Sequence, residues 1–149
     1  MKHFIKLGTL VLFITLVAAA SAWAQTSIIG KWKTIDDETN EPKSIVQIFE
    51  KDGKYYGKIV KLFRKPGEDP NPICDDCKDD DDRKNQPITG MEIIRDLEKG
   101  GDKYKDGTIL DPKDGKIYDC KLWVEDGTLK VRGYIAFFYR TQTWHPVAE

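Results

Sequence analysis

The feature that most constrains this chain is a repeated Asp-Gly pair set between extended runs. It occurs at Asp52-Gly53, Asp106-Gly107, Asp114-Gly115 and Asp126-Gly127. Asp-Gly between alternating apolar runs marks a tight hairpin, because type I′ turns need positive φ at both central residues. Ser44 to Lys51 and Lys54 to Phe63 flank the first pair, and Lys116 to Glu125 and Thr128 to Phe138 flank the last. These runs are rich in Ile, Val, Tyr, Phe and Trp, the composition of half-buried strands.

Alternation assigns the faces. Leu129, Val131, Gly133, Ile135 and Phe137 share one side of the last hairpin, opposite Lys130, Arg132 and Tyr134. Its partner run places Tyr118, Cys120, Leu122 and Val124 together, opposite Asp119, Lys121 and Glu125. Further strands are predicted at Ile28 to Thr34, Ile88 to Arg95, Tyr104 to Leu110 and Thr141 to Val147, although the apolar spacing of Met91 to Lys99 also suits a short helix. About eight antiparallel strands form a sandwich or a closed barrel, and an eight-stranded barrel either holds one small ligand or fills with side chains. Arg64 to Pro87 interrupts the pattern with Pro66, Pro70, Pro72, Pro87 and a run of acids. Loops of this length inside a compact domain are usually functional or disordered.

The first 24 residues stand apart from this domain. Lys2 and Lys6 precede an apolar run from Leu7 to Ala20, and Ala22-Trp23-Ala24 fits the small-x-small rule of a cleaved export signal. The apolar run is shorter than the roughly 20 residues needed to span a bilayer. Cleavage between Ala24 and Gln25 is expected, leaving residues 25–149 as a single all-β domain with no membrane span, in the periplasm or secreted. Past the leader no basic excess remains, and the whole chain carries a formal charge of only −1, which argues against a nucleic-acid partner.

A set of motifs then runs the length of the domain. It comprises Gly30-x-Trp32-x-Thr34, Gly57-x-Ile59-Val60, Cys74-x-x-Cys77 and Pro87-Ile88-x-Gly90-Met91. It continues as Gly107-x-Ile109-Leu110-Asp111-Pro112-x-x-Gly115-Lys116-x-Tyr118, Leu129-x-Val131-Arg132-Gly133-Tyr134 and Arg140-Thr141-x-x-Trp144. Together these resemble the bacterial exported family known as domain of unknown function 2147, in order across Ile28 to Trp144. The resemblance implies a lipocalin-like (calycin-type) barrel, closed or nearly closed, and no defined reaction. Asp79-Asp80-Asp81-Asp82 departs from the mixed charge usual at that point. In lipocalin-type barrels a late Arg covers the early Trp at the closed end, which makes Trp32 with Arg132 or Arg140 a candidate closure contact.

The chemistry-bearing residues narrow the function by exclusion. Cys74-Asp75-Asp76-Cys77 is a C-x-x-C, but its acidic neighbours disfavour a reactive thiolate. In an oxidising compartment a loop-stapling disulfide is the favoured reading. Redox catalysis, or zinc held with Cys120 and His145, are the alternatives. Cys120 reads as a small buried apolar residue. The acids of 75–82 fail the calcium-loop pattern, because counting from Asp75 puts Asp80 where Gly is needed and Gln86 where Glu is needed. Asp111 and Asp114 read as turn residues. Past the leader only His145, Ser27 and Ser44 could serve a hydrolytic triad, and neither serine sits in a G-x-S-x-G elbow. No cofactor or metal is expected.

Two function classes remain. One is a barrel binding a small amphipathic or apolar ligand, with Tyr118, Leu122, Ile135 and Phe137 lining the cavity and Tyr118 as the polar handle. The other is a structural or protein-interaction module of the cell envelope, its barrel filled and its surface aromatics, such as Trp123 and Tyr134, docking a partner.

Overall fold

A computed structural model describes residues 26–148, so the predicted leader and its Ala24/Gln25 cleavage point lie outside the described residues. The strands are β1 (Gly30–Ile35), β2 (Pro42–Lys51), β3 (Lys54–Leu62), β4 (Glu92–Gly100), β5 (Lys103–Asp111), β6 (Lys116–Glu125), β7 (Thr128–Ile135) and β8 (Phe138–Pro146). Each pairs antiparallel with the next, and β8 returns to β1 through Trp32↔Pro146 and Lys33↔His145. The seam between β8 and β1 closes the sheet into a barrel through these two residue pairs. Among the described residues there is no helix.

The Asp-Gly pairs divide into three uses. Asp52-Gly53 and Asp126-Gly127 have φ of 52° and 77°, and of 50° and 72°, and close β2–β3 and β6–β7 as expected of type I′ turns. Asp114-Gly115 ends the turn of residues 112–115 between β5 and β6. Asp106-Gly107 does not reverse the chain. Asp106, at φ 62°, bulges within β5, where the register with β6 slips between Tyr104 and Gly107. A Cβ at Gly107 would lie 2.4 Å from the Arg95 carbonyl oxygen and 2.7 Å from the Leu97 nitrogen, so the close approach of β4 demands glycine. The β4–β5 reversal falls instead at Gly101-Asp102.

Met91 to Lys99 lies almost wholly in β4, a strand. Its spacing was ambiguous because Ile93 and Ile94 are both buried, and because pairing with β3 slips around Gly57. The last hairpin also differs from expectation. β7 ends at Ile135, Ala136 turns with φ 51°, and β8 begins at Phe138 rather than Thr141.

Antiparallel order gathers the tight β2–β3, β4–β5 and β6–β7 turns at one end. The other end carries residues 36–41, the long connection 63–91, residues 112–115 and the β7–β8 turn. At the tight-turn end Trp32, Ile48, Tyr55, Leu97, Tyr104, Leu122 and Leu129 fill the interior. Tyr55 and Tyr104 meet edge-on with ring centroids 4.7 Å apart. The buried Trp32 indole donates from Nε1 to the Ile28 carbonyl at 2.7 Å, which satisfies its one polar atom.

Among the described residues no arginine covers Trp32, contrary to the expected closure contact. Arg132 occupies an outward position of β7, its guanidinium centre 5.0 Å from the Trp123 ring and 4.4 Å from the Tyr139 ring. Arg140 lies at the opposite end from Trp32 and pairs with Asp37. Chain closure through β1–β8 pairing and packing around Trp32 takes the place of that contact.

The 63–91 connection is ordered by its own backbone. Ile73 bridges Pro87; the Cys74 amide donates to the Gln86 carbonyl at 2.9 Å, and the Asn85 amide donates to the Cys74 carbonyl at 2.8 Å. A disulfide joins Cys74 and Cys77, and both are buried among the core residues.

Candidate functional site

The inward columns shrink from the tight-turn end toward the loop end. In β2 they run Ile48, Val46, Ser44; in β7 Leu129, Val131, Gly133; in β1 Trp32 gives way to Thr34. In β8 Trp144 is followed, toward the loops, by Gln142 and Arg140. Large side chains therefore fill one half of the barrel and leave the other half open. The result is a cavity of about 520 Å³ that opens among the loops. That volume falls within the roughly 300–1,000 Å³ of small-molecule sites.

Ile59, Leu62, Ile93, Ile109, Leu110 and Val131 supply much of the apolar wall, with Trp144 and Tyr118 as its aromatics. Pro72 and Ile88 bring the disulfide-stapled loop into the same wall. Few polar groups reach the interior. The Thr34 and Ser44 hydroxyls share a hydrogen bond of 2.7 Å. Trp144 Nε1 donates to Gln142 Oε1 at 3.0 Å, and Gln142 Nε2 donates to Asp37 Oδ2 at 2.6 Å. The half-buried Tyr118 hydroxyl makes no hydrogen bond among the described residues, which leaves it open to a ligand.

Charges ring the opening. Arg64 pairs with Glu68 at 3.5 Å, Lys65 with Glu41 at 2.6 Å, and Arg140 with Asp37. The hydrogen bond from Lys65 to Glu41 raises the lysine pKa. The Thr39 and Glu38 amides donate to Asp36 and lower the pKa of its carboxyl. Lys43 and Lys113, also at the opening, form no salt bridge among the described residues.

The acidic run is less free than its composition suggests. Arg83 is buried; its Nε and Nη2 donate to the two Asp81 carboxylate oxygens at 2.9 and 2.7 Å, and its Nη1 donates to the Glu92 carbonyl at 3.1 Å. Hydrogen bonding from Arg83 holds the Asp81 carboxyl far below the usual carboxylate range. Arg95 donates to both Asp82 oxygens, at 2.8 and 3.0 Å, and lowers the Asp82 pKa. Asp79 and Asp80 remain exposed. Among the described residues no cluster of His, Cys, Asp and Glu has the arrangement of a metal site. Burial pushes the Cys120 thiol pKa up to about 12, so the group stays neutral and unreactive.

Of the four cavity residues expected from alternation, Tyr118 lines the cavity. Leu122 is fully buried but packs in the filled half. Ile135 and Phe137 are corrections: they stand outside the cavity, 48% and 98% exposed. Ile135 is the last residue of β7, at the loop end of the barrel and past the cavity wall, and the turn at Ala136 ends the alternation before Phe137. Thr34, Ser44, Gln142 and Trp144 were missed. The signal that reveals them is the declining size of inward residues along β1, β2 and β7, together with the growing polarity along β8.

The sequence model of a family described as "Uncharacterized protein conserved in bacteria (DUF2147)" matches residues 30–146. No curated protein matches significantly. Among solved structures, protein HP1028 from the human pathogen Helicobacter pylori, described as belonging to the lipocalin family, is similar with a TM-score of 0.71. The two are 22% identical, over 83% of this chain and 85% of that one. At that identity the likeness is one of fold.

Proposed function

The chain belongs to the DUF2147 family of proteins conserved in bacteria, and from that premise we propose that it is an exported protein that reversibly binds one small amphipathic molecule in its lipocalin-like barrel. The observation that carries this reading is the half-open interior: a largely apolar cavity of about 520 Å³, with one end packed and the other open. The apolar part of the ligand lies against Ile59, Ile93, Ile109 and Val131, and Tyr118 offers its hydroxyl. Lys43 and Lys113 at the opening, neither held in a salt bridge among the described residues, favour an anionic head, a carboxylate or a phosphate. A module with a barrel filled from end to end, the competing class, lacks support, because only the tight-turn half is filled.

Displacement of a fluorescent fatty acid tests the reading. The wild-type protein binds it, and Val131→Phe, which projects a ring into the open half, weakens binding about tenfold or more, a loss of roughly 1.4 kcal/mol. Lys43→Gln with Lys113→Gln weakens binding of the acid but not of the matching fluorescent alcohol. Failure of the wild type to bind at high micromolar concentration, or full binding by Val131→Phe, refutes the cavity as the site.

A further inference from the structure

The β7–β8 turn leaves a compact apolar tip in water. Ile135 is 48% exposed, Phe137 98%, Phe138 79% and Tyr139 62%. Contiguous apolar exposure of this kind marks an interaction site. The tip is not a frayed segment: Ile135↔Phe138 and Tyr134↔Tyr139 continue the ladder that begins at Leu129↔Trp144, and Ala136 holds the reversal with φ 51°. It projects from the same end of the barrel at which the cavity opens.

We propose that this hairpin seats the open end of the barrel on a lipid bilayer, with Phe137 and Phe138 inserted below the headgroups. The occupant follows from what stands behind the tip. Lys121 and Arg132 pair across β6 and β7 on the outward face, and neither forms a salt bridge among the described residues. The Arg132 guanidinium lies between the Trp123 and Tyr139 rings, and the Lys121 ammonium is 6.0 Å from the centre of the Tyr134 ring. Arg132 lies three residue steps before Ile135 along β7, a rise of roughly 10 Å. That matches the roughly 5–10 Å to which interfacial segments sink their apolar groups, so the two cations reach the phosphate level when the tip is inserted. Tyr134 and Tyr139 occupy the level between, where amphipathic rings settle. Asp119 on the same face, Asp36 and Glu38 in the neighbouring 36–41 loop, and the exposed Asp75 and Asp76 of the loop packed on the Gly115 turn all oppose attraction to anionic lipid, while Arg140 neutralises Asp37. Insertion of the phenylalanines therefore supplies most of the binding, and the two cations tune it.

Seating of this kind needs no ligand in the cavity. Joined to the binding reading above, it brings the opening to the headgroup layer, so an amphiphile passes between bilayer and barrel without crossing water.

Flotation of the ligand-free protein with vesicles of phosphatidylethanolamine and phosphatidylglycerol tests the proposal. The wild type floats. Phe137→Ser with Phe138→Ser reduces partitioning about tenfold per phenylalanine, with the melting temperature unchanged because both rings are exposed. Lys121→Gln with Arg132→Gln retains part of the binding and flattens its dependence on salt. The proposal is overturned if the wild type stays with the soluble fraction, or if the double serine variant floats as well as the wild type. It is equally overturned if the wild type fails to float and sediments as a dimer that the serine changes split, which would make a second copy the occupant. No ligand enters this assay and no vesicle enters the displacement assay, so each reading fails separately.

Discussion

Gly115 is the position at which one added methyl group tests how the disulfide loop is held. The residue ends the β5–β6 turn at φ +68°, and a Cβ there would fall 1.9 Å from the Asp76 carbonyl oxygen and 2.8 Å from the Cys77 nitrogen. No carbon tolerates an oxygen that close, so Gly115→Ala drives the loop or the turn aside by roughly 1 Å or more. Gly127 provides the control. It ends the β6–β7 turn at φ +72°, with nothing within 4 Å of the would-be Cβ. Gly127→Ala carries only the left-handed backbone penalty, about 1–2 kcal/mol. Gly115→Ala carries the same penalty and also displaces the buried Cys74 and Cys77, a loss comparable to a core truncation of about 2–3 kcal/mol. The expected totals are about 3–5 kcal/mol for Gly115→Ala against about 1–2 for Gly127→Ala. Equilibrium urea unfolding measures both. Because Pro72 and Ile88 carry the loop into the cavity wall, fluorescent fatty-acid affinity should fall for Gly115→Ala alone. Equal destabilisation of the two variants, within about 0.5 kcal/mol, would refute the claim that the loop is docked on this turn.

Two further outcomes follow from the same loop. Reducing the Cys74–Cys77 disulfide should cost less than the ~3 kcal/mol of a fifteen-residue ring, because the closed segment is so short, and urea midpoints of the oxidised and reduced protein report it. The Arg83–Asp81 pair should make stability acid-sensitive. Asp81 has a folded pKa lowered by Arg83, so its contribution is complete above the ordinary carboxylate pKa of about 4 and is lost as pH falls through the lower folded value. Arg83→Met should destabilise by about 3–5 kcal/mol near neutrality, since it strands a largely buried carboxylate, and should flatten the acid limb of a stability-versus-pH curve. An unchanged acid limb would show that Asp81 does not set it.

Turn chemistry and alternation made most of the fold legible. Asp52-Gly53 and Asp126-Gly127 identified their hairpins because those dipeptides supply two positive-φ residues, and the flanking runs matched β2, β3, β6 and the start of β7. Asp106-Gly107 misled because the same dipeptide serves a bulge when a neighbouring strand approaches within contact of Gly107, and that approach is a tertiary fact. Ala136 hid the last reversal: alanine seldom takes φ of 51°, so Thr128 to Phe138 read as one strand and Phe137 was assigned an inward face it does not have. The arginine contacts were misassigned for a related reason. The resemblance to lipocalin-type barrels implied a late Arg over Trp32, but register decides which aromatic face an Arg meets. β7 presents Arg132 to Trp123 and Tyr139 on the outside rather than to Trp32 within.

The candidate site was legible only in part, because inwardness and cavity lining are different properties. Alternation tells which residues face the barrel axis; it does not tell whether the space in front of them is occupied. Leu122 and Tyr118 lie on the same inward face of β6, yet Leu122 is sealed in the filled half and Tyr118 borders open space. What separates them is depth along the barrel, set by the residues opposite. Near Leu122 stand Leu129 and Val131; near Tyr118 stands Gly133, whose would-be Cβ approaches the Tyr118 Cβ to 3.3 Å. Replacing side-chain volume by glycine, serine and threonine on several adjacent strands at one depth is what opens a barrel, and a single strand read alone cannot reveal it. The same depth coordinate aligns the opening with the exposed Phe137 and Phe138, and so connects a cavity suited to an amphiphile with a tip suited to the surface where amphiphiles reside.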